Sequence, residues 1–219
     1  MSNEFSIDVD FVLDTKLMKL DGKTSQRKIR LFGCACVRRN WPMLTQMYRR
    51  SVELAEQFAD GKVSHSDLLQ AWSKAERVAI SKYKQKCARA AASWCVRPQI
   101  NAGGTARSIA GFSAQVAADW ESERTIQLKY FQDIFFDSTS KYESELQFPC
   151  KDETVKRIAI AAYDSQQSPR GELDGHVFGA LADALEEAGC TIDEVLNHCR
   201  GNEPHVRGCW LLDCILKFK

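Results

Sequence analysis

The run Arg27-Lys28-Ile29-Arg30-Leu31-Phe32-Gly33-Cys34-Ala35-Cys36-Val37-Arg38-Arg39 decides the fold class. Thr24 or Ser25 stands where a helix N-cap belongs, and no proline interrupts the run before Asn40, so it reads as one helix. At about 100° per residue its apolar side chains spread almost all round the axis, which marks a helix at the centre of a fold.

The chain continues in the same helical idiom downstream. Pro42 suits the first turn of a helix that runs to Ala59 and stops before Gly61, with Met43, Met47, Leu54 and Phe58 at helical spacing. Ser64 or Ser66 caps a third helix, carrying Leu68, Leu69, Trp72, Ala75 and Ala79, with an Ala-rich continuation to Trp94 that ends at Pro98 and Gly103-Gly104. A fourth pattern spans Thr105 to Phe136, with Gly111 as a candidate break. Residues 137–150 have no periodicity and read as a loop between halves. Asp152 caps a helix through Tyr163, and the Pro169- and Gly171-bearing stretch Ser165 to Gly175 reads as a mobile loop. Short helices follow: His176 to Ala188, ended by Gly189; Thr191 to Cys199, ended by Gly201; and a last one from Pro204 to Phe218.

Upstream, Phe5 to Asp14 alternates apolar and polar residues as a half-buried strand does. A lone strand has no ladder to join, so residues 1–23 read as an extended arm or a short helix, stopped by Asp21-Gly22. The expected architecture is all-α: a multi-helix bundle of about seven to eight helices. In it a long-helix part over 24–137 packs with a short-helix part over 151–219 as one compact unit. A chain of 219 residues with 44% hydrophobic content buries enough surface for a core without disulfides. No apolar run is long enough to cross a membrane, and Met1-Ser2-Asn3-Glu4 does not resemble an export signal, so a cytoplasmic location is expected. The odd count of nine cysteines then reads as reduced thiols.

Two stretches resemble a known family. Arg27 to Arg39, continued by Arg50-Ser-Val-Glu-Leu-Ala-Glu-Gln-Phe-Ala-Asp-Gly61, pairs with Leu181-Ala-Asp-Ala-Leu-Glu-Glu-Ala-Gly-Cys190, His198-Cys-Arg-Gly201 and Pro204-His-Val-Arg-Gly-Cys-Trp210. Their order and spacing resemble an uncharacterised family of helical proteins abundant in planctomycete bacteria, with an Arg-Lys-Leu-Arg-Leu-Phe-Ala-Cys-Ala-Cys-like motif and a His-Val-Arg-Gly-Cys-Trp-like motif. This chain departs from the pattern at Gly33, over Lys141 to Cys150, and around Pro169 to Gly175. The resemblance implies a bacterial, cytoplasmic origin and no particular activity.

Three clusters carry chemistry. Cys190, His198, Cys199, His205 and Cys209 gather thiolates and imidazoles within a short span, a donor set that suits zinc or iron. His205 and Cys209, four apart, are expected on one face of the last helix. There is no Cys-x-x-Cys pair, so the competing reading is a plain packing joint between helices. Cys34 and Cys36 point to opposite sides of their helix and cannot share an ion; flanking Arg30, Arg38 and Arg39 suggest a reactive thiol, against the alternative of two small core residues. Arg27, Arg30, Arg38 and Arg39, with Lys28, Arg49 and Arg50, form the basic cluster that would address nucleic acid.

The overall formal charge is only +1, but residues 1–110 hold 19 Lys and Arg against 10 Asp and Glu, a net of +9, and residues 111–219 hold 11 against 19, a net of −8. Either the halves neutralise each other, with Asp183, Glu186, Glu187, Asp193 and Glu194 as counter-charges, or the basic half meets a polyanion. A nucleophile-base pair would have to join Cys34 or Cys36 to a distant histidine, with no oxyanion motif to support it; phosphate-loop and dinucleotide fingerprints are absent, since Gly103-Gly104 lacks the neighbouring glycines and the preceding strand. By elimination the expected role is a non-enzymatic module that binds another protein. A metal or thiol sensor at the C-terminal His/Cys cluster is the first alternative, and a nucleic-acid binder the second.

Overall fold

The computed structural model describes residues 8–76, 83–136, 149–167 and 169–218. Among the described residues there are eleven α-helices and no strand ladder, only an isolated antiparallel bridge between Glu172 and Val206. The all-α expectation holds, with more helices than the seven to eight expected. The chain divides into two compact units, Met1–Leu128 and Lys129–Lys219.

The first unit holds α1 (Val9–Lys19), α2 (Gln26–Arg38), α3 (Gln46–Ala59), α4 (His65–Glu76), α5 (Tyr83–Cys95), α6 (Arg107–Val116) and most of α7 (Trp120–Phe135). The stretch expected to be extended is helical from Val9. Asp8 accepts from the amides of Asp10 and Phe11, and this local cap prevails because no neighbouring strand competes for the backbone. The central reading of the opening run is sound. Ten consecutive residues of α2, Ile29 to Arg38, are buried, and Ser25 caps the helix by accepting from the Lys28 amide.

Two expectations for helix ends need correction. Pro42 stands second in a short 3-10 turn, Trp41–Met43, and the helix proper starts at Gln46. Gly111 lies inside α6; the break comes at Ala117, whose backbone is extended, and Asp119 restarts the chain as α7 by accepting from the Glu121 amide at 3.2 Å. The Ala-rich continuation across 77–82 and the loop over 137–148 lie outside the described residues.

The second unit holds the end of α7, a 3-10 turn at Pro149–Lys151, α8 (Glu153–Asp164), α9 (Gly175–Glu187), α10 (Asp193–Arg200) and α11 (Trp210–Leu216). Its core gathers Val155, Ala159, Phe178, Leu181, Leu185, Val195, Trp210 and Leu211. Asp152 and Asp174 cap α8 and α9 through their carboxylates. The stretch expected to be mobile, 165–175, is instead tied down where it is described. The Gln167 amide donates to the Glu172 carbonyl at 2.7 Å, the Asp174 amide to Ser165 Oγ at 2.9 Å, and the Leu173 amide to the His205 carbonyl at 2.8 Å.

Candidate metal centre

That last bond explains why the final helix begins late. Residues 205–206 lie extended against 172–173, so the helix expected from Pro204 forms only at Trp210. A turn between them, closed by the Cys209 amide donating to the Val206 carbonyl at 3.0 Å, swings Cys209 back toward His205. Gly208 sits in this turn at φ +90°, a conformation that a side chain would strain. His205 and Cys209 therefore come together through a turn, not along one helical face as expected.

His198, on α10, enters from the side. Its Nε2 lies 3.2 Å from Cys209 Sγ and 3.6 Å from Oδ1 of Asp133, which projects from the last turn of α7. The same Oδ1 is 2.9 Å from His205 Nδ1, while Oδ2 accepts the Val206 amide at 2.8 Å. One donor atom from each of Asp133, His198, His205 and Cys209 lies within 4.8 Å of all the others. Phe178 stacks on the His205 ring at 3.7 Å between centroids, and Trp210 flanks His198 at 5.1 Å.

The electrostatics keep one imidazole of this cluster neutral and its thiol protonated while no ion is bound. Burial lowers the His198 pKa to about 4, only partly opposed by the Asp133 carboxylate, so the imidazole is neutral near pH 7. Burial, followed by the Asp133 charge, raises the Cys209 thiol well above its ordinary range; the Leu212 and Leu211 amides pull the other way. His205 Nε2 is buried without a hydrogen-bond partner. A tetrahedral zinc ion with bonds of about 2.0–2.3 Å sets its donors roughly 3.3–3.8 Å apart; His198 lies 3.2 Å from Cys209 and 3.6 Å from Asp133, while the Asp133–His205 contact, at 2.9 Å, is shorter. A bound cation would also favour the thiolate that burial alone disfavours.

Nucleophilic chemistry fits less well. In a Cys-His-Asp triad the carboxylate holds the imidazole nitrogen remote from the thiol. Here Asp133 and Cys209 both face Nε2 of His198, and Cys209 is fully buried.

Of the five residues expected as ligands, the structure brings together His198, His205 and Cys209. Cys199 follows His198 on α10 and so points about 100° away around the helix. It lies with Cys190 in the apolar core, where burial lifts its thiol to about 12. Sequence reasoning missed Asp133. A signal existed: an acid in the last turn of α7, between the buried Phe131 and Ile134, opposes the helix dipole and asks for a partner.

The other clusters are occupied internally. Arg30 is 1% exposed and donates to the carbonyls of Cys95, Arg97 (2.9 Å) and Pro98 (3.4 Å), at the C-terminal end of α5. Arg38 grips Glu56 through two bonds, Arg39 holds Glu123 at 2.7 Å, and Arg27 pairs with Asp60 at 3.5 Å. The counter-charges thus come from the first unit itself, while Asp183 and Glu186 bind Arg200 in the second. Cys34 and Cys36 are fully buried, and burial raises both thiols despite the nearby arginines. Among the described residues no helix is long and apolar enough to cross a membrane. Comparison with protein-family models, curated proteins and solved structures finds no match to this chain.

Proposed function

We propose that this is a zinc-binding protein of the sensor or regulatory type, whose second unit closes around one ion held by Asp133, His198, His205 and Cys209. The observation that carries this reading is convergence: four donors from α7, α10 and the turn before α11 point at one small volume within 4.8 Å. Two nitrogens, one sulfur and one carboxylate oxygen suit zinc, and ferrous iron is the competing ion. Four protein donors leave no position for a substrate, so the ion organises the fold and its occupancy is the signal. On this reading the segment that carries the resemblance to planctomycete proteins, His205-Val-Arg-Gly-Cys209, supplies two ligands.

Elemental analysis of untagged protein reconstituted with zinc and freed of excess ion tests it. About one zinc per chain is expected, lost in Cys209→Ser and in His198→Gln. Zinc content near zero in the wild-type protein overturns the proposal, and stoichiometric iron in its place reassigns the ion.

A protein-partner role has one observation in its favour. Phe11 and Met18, seven apart on α1, are 69% and 58% exposed. If that face seats a second copy of the chain, Phe11→Glu with Met18→Glu lowers the mass measured by light scattering; an unchanged mass removes that reading.

A further inference from the structure

Three helices of the first unit wall a cleft of about 300 Å³, each with a pair of residues one turn apart: Asp10 and Asp14 on α1, Arg107 and Gly111 on α6, Trp120 and Arg124 on α7. That volume stands at the lower end of the roughly 300–1,000 Å³ that small-molecule sites occupy, so the cleft suits one small metabolite. Gly111 is not explained by the fold itself. It lies inside α6, and a Cβ added to it would meet nothing within 4 Å. Alanine there would favour the helix by about 1 kcal/mol, yet the space a larger side chain would take is the cleft.

The charges of the cleft are fixed from behind and loose in front. Arg124 is fully buried and pinned by Asp10, by Asp14 and by Gln127 Oε1 at 3.0 Å. Two carboxylates answer this one guanidinium, so the α1 wall keeps a surplus negative charge, and both acids are partly exposed. On the α6 wall Arg107 is also partly exposed, and its contacts are long: Asp14 at 3.7 Å and Met18 Sδ at 3.9 Å. An ion pair of that length and exposure contributes little, which leaves Arg107 available to a better acceptor. Trp120 and Phe112 add aromatic surface to the lining.

We propose that this cleft binds a free α-amino acid with an apolar side chain. The ligand's ammonium meets Asp10 and Asp14, its carboxylate takes the guanidinium of Arg107, and its side chain lies over Gly111 against the aromatic surface. A ligand with only a positive charge would face Arg107 unanswered, and one with only a negative charge would face the surplus on α1. A zwitterion satisfies both walls. The site is independent of the metal reading, because every residue that lines it belongs to the first unit and none to the four-donor cluster.

Calorimetric titration of the full chain with L-phenylalanine and with L-leucine tests the proposal. At least one of the two is expected to bind saturably at one site per chain. Phenethylamine, which lacks the carboxylate, and phenylpropionate, which lacks the ammonium, should each bind about tenfold or more weakly, the cost of one charge-assisted contact. Arg107→Gln should lose a similar factor. Gly111→Leu fills the cleft with a good helix former and should abolish binding while circular dichroism shows the helical content kept. Cys209→Ser should bind as wild type does, which separates this outcome from failure of the metal proposal. No saturable heat with either amino acid at concentrations on the order of 10 mM overturns the proposal. So does a single-charge analogue that binds as tightly, or an Arg107→Gln chain with unchanged affinity.

Discussion

Replacing Asp133 by asparagine keeps the shape of the side chain and removes the only anionic oxygen from the cluster. In metal-free protein the change is modest. The amide oxygen of the new side chain can still accept the Val206 amide, and its NH2 then donates to His205 Nδ1, whose ring takes the other tautomer, so what disappears is chiefly the charge assistance on these contacts at 2.8 Å and 2.9 Å, worth about 1 kcal/mol. With zinc the cost is larger. Even an outer-shell partner of a metal ligand is worth roughly 10- to 100-fold in affinity, so loss of a direct ligand should reach at least the upper value. At free zinc about 1,000 times the wild-type Kd, binding stabilises the folded chain by about 4.1 kcal/mol, and a hundredfold weaker site leaves about 1.4. For a chain of 219 residues that difference of about 2.7 kcal/mol corresponds to about 6 °C in Tm. The assay is a pair of thermal melts, one in buffered zinc and one in a chelator, for wild type and Asp133→Asn. The zinc-dependent rise in Tm should shrink by about that amount while the chelator melts stay close together. A wild type whose Tm ignores zinc, or an Asp133→Asn chain that keeps the full rise, refutes the reasoning.

Further outcomes follow from the same geometry. His198 has a folded pKa of about 4 against an ordinary value of 6.5, so the unfolded chain binds the proton first. Its contribution to metal-free stability is complete above about pH 6.5, falls as pH drops toward 4, and amounts to roughly 3 kcal/mol; urea titrations across that window should show the slope in wild type and lose it in His198→Gln. Zinc binding should release protons near pH 7.5, because Cys209 must become a thiolate; calorimetry in two buffers of different ionisation enthalpy reads the number, and a value of zero excludes the thiolate. Glu56→Gln leaves the buried Arg38 without its counter-charge and should cost about 3–5 kcal/mol in chemical denaturation. Gly33→Val is expected to cost about 1–3 kcal/mol by the same measurement, because a Cβ at Gly33 already meets Ile109 Cδ1 at 3.0 Å; a neutral result would show that Ile109 moves aside freely.

The local features of this chain were legible without coordinates. Caps at Ser25 and Asp152, helix stops near Gly61, Gly189 and Gly201, and the buried character of α2 depend on neighbours within a turn or two, and backbone hydrogen bonding acts at that range. Features set by distant contacts were not. Pro204 carries a valid helix-start signal, yet the amide of Leu173 claims the His205 carbonyl and holds residues 205–206 extended, so that the helix begins at Trp210 only after the turn over 206–209. The basic cluster looked like a stripe for polyanions because sequence shows charge and not its partners; Glu56, Asp60 and Glu123, brought in by folding, bind it from inside. The metal centre divides the same way. His198, His205 and Cys209 stood out by type and proximity along the chain, whereas Asp133 is separated from His205 by 72 positions and joins them only when α7 packs beside α10 and the turn. Residue type and local pattern determined the elements and most of the donors; only the tertiary structure decided which atoms face one another, because convergence is a property of distances that helical periodicity does not encode.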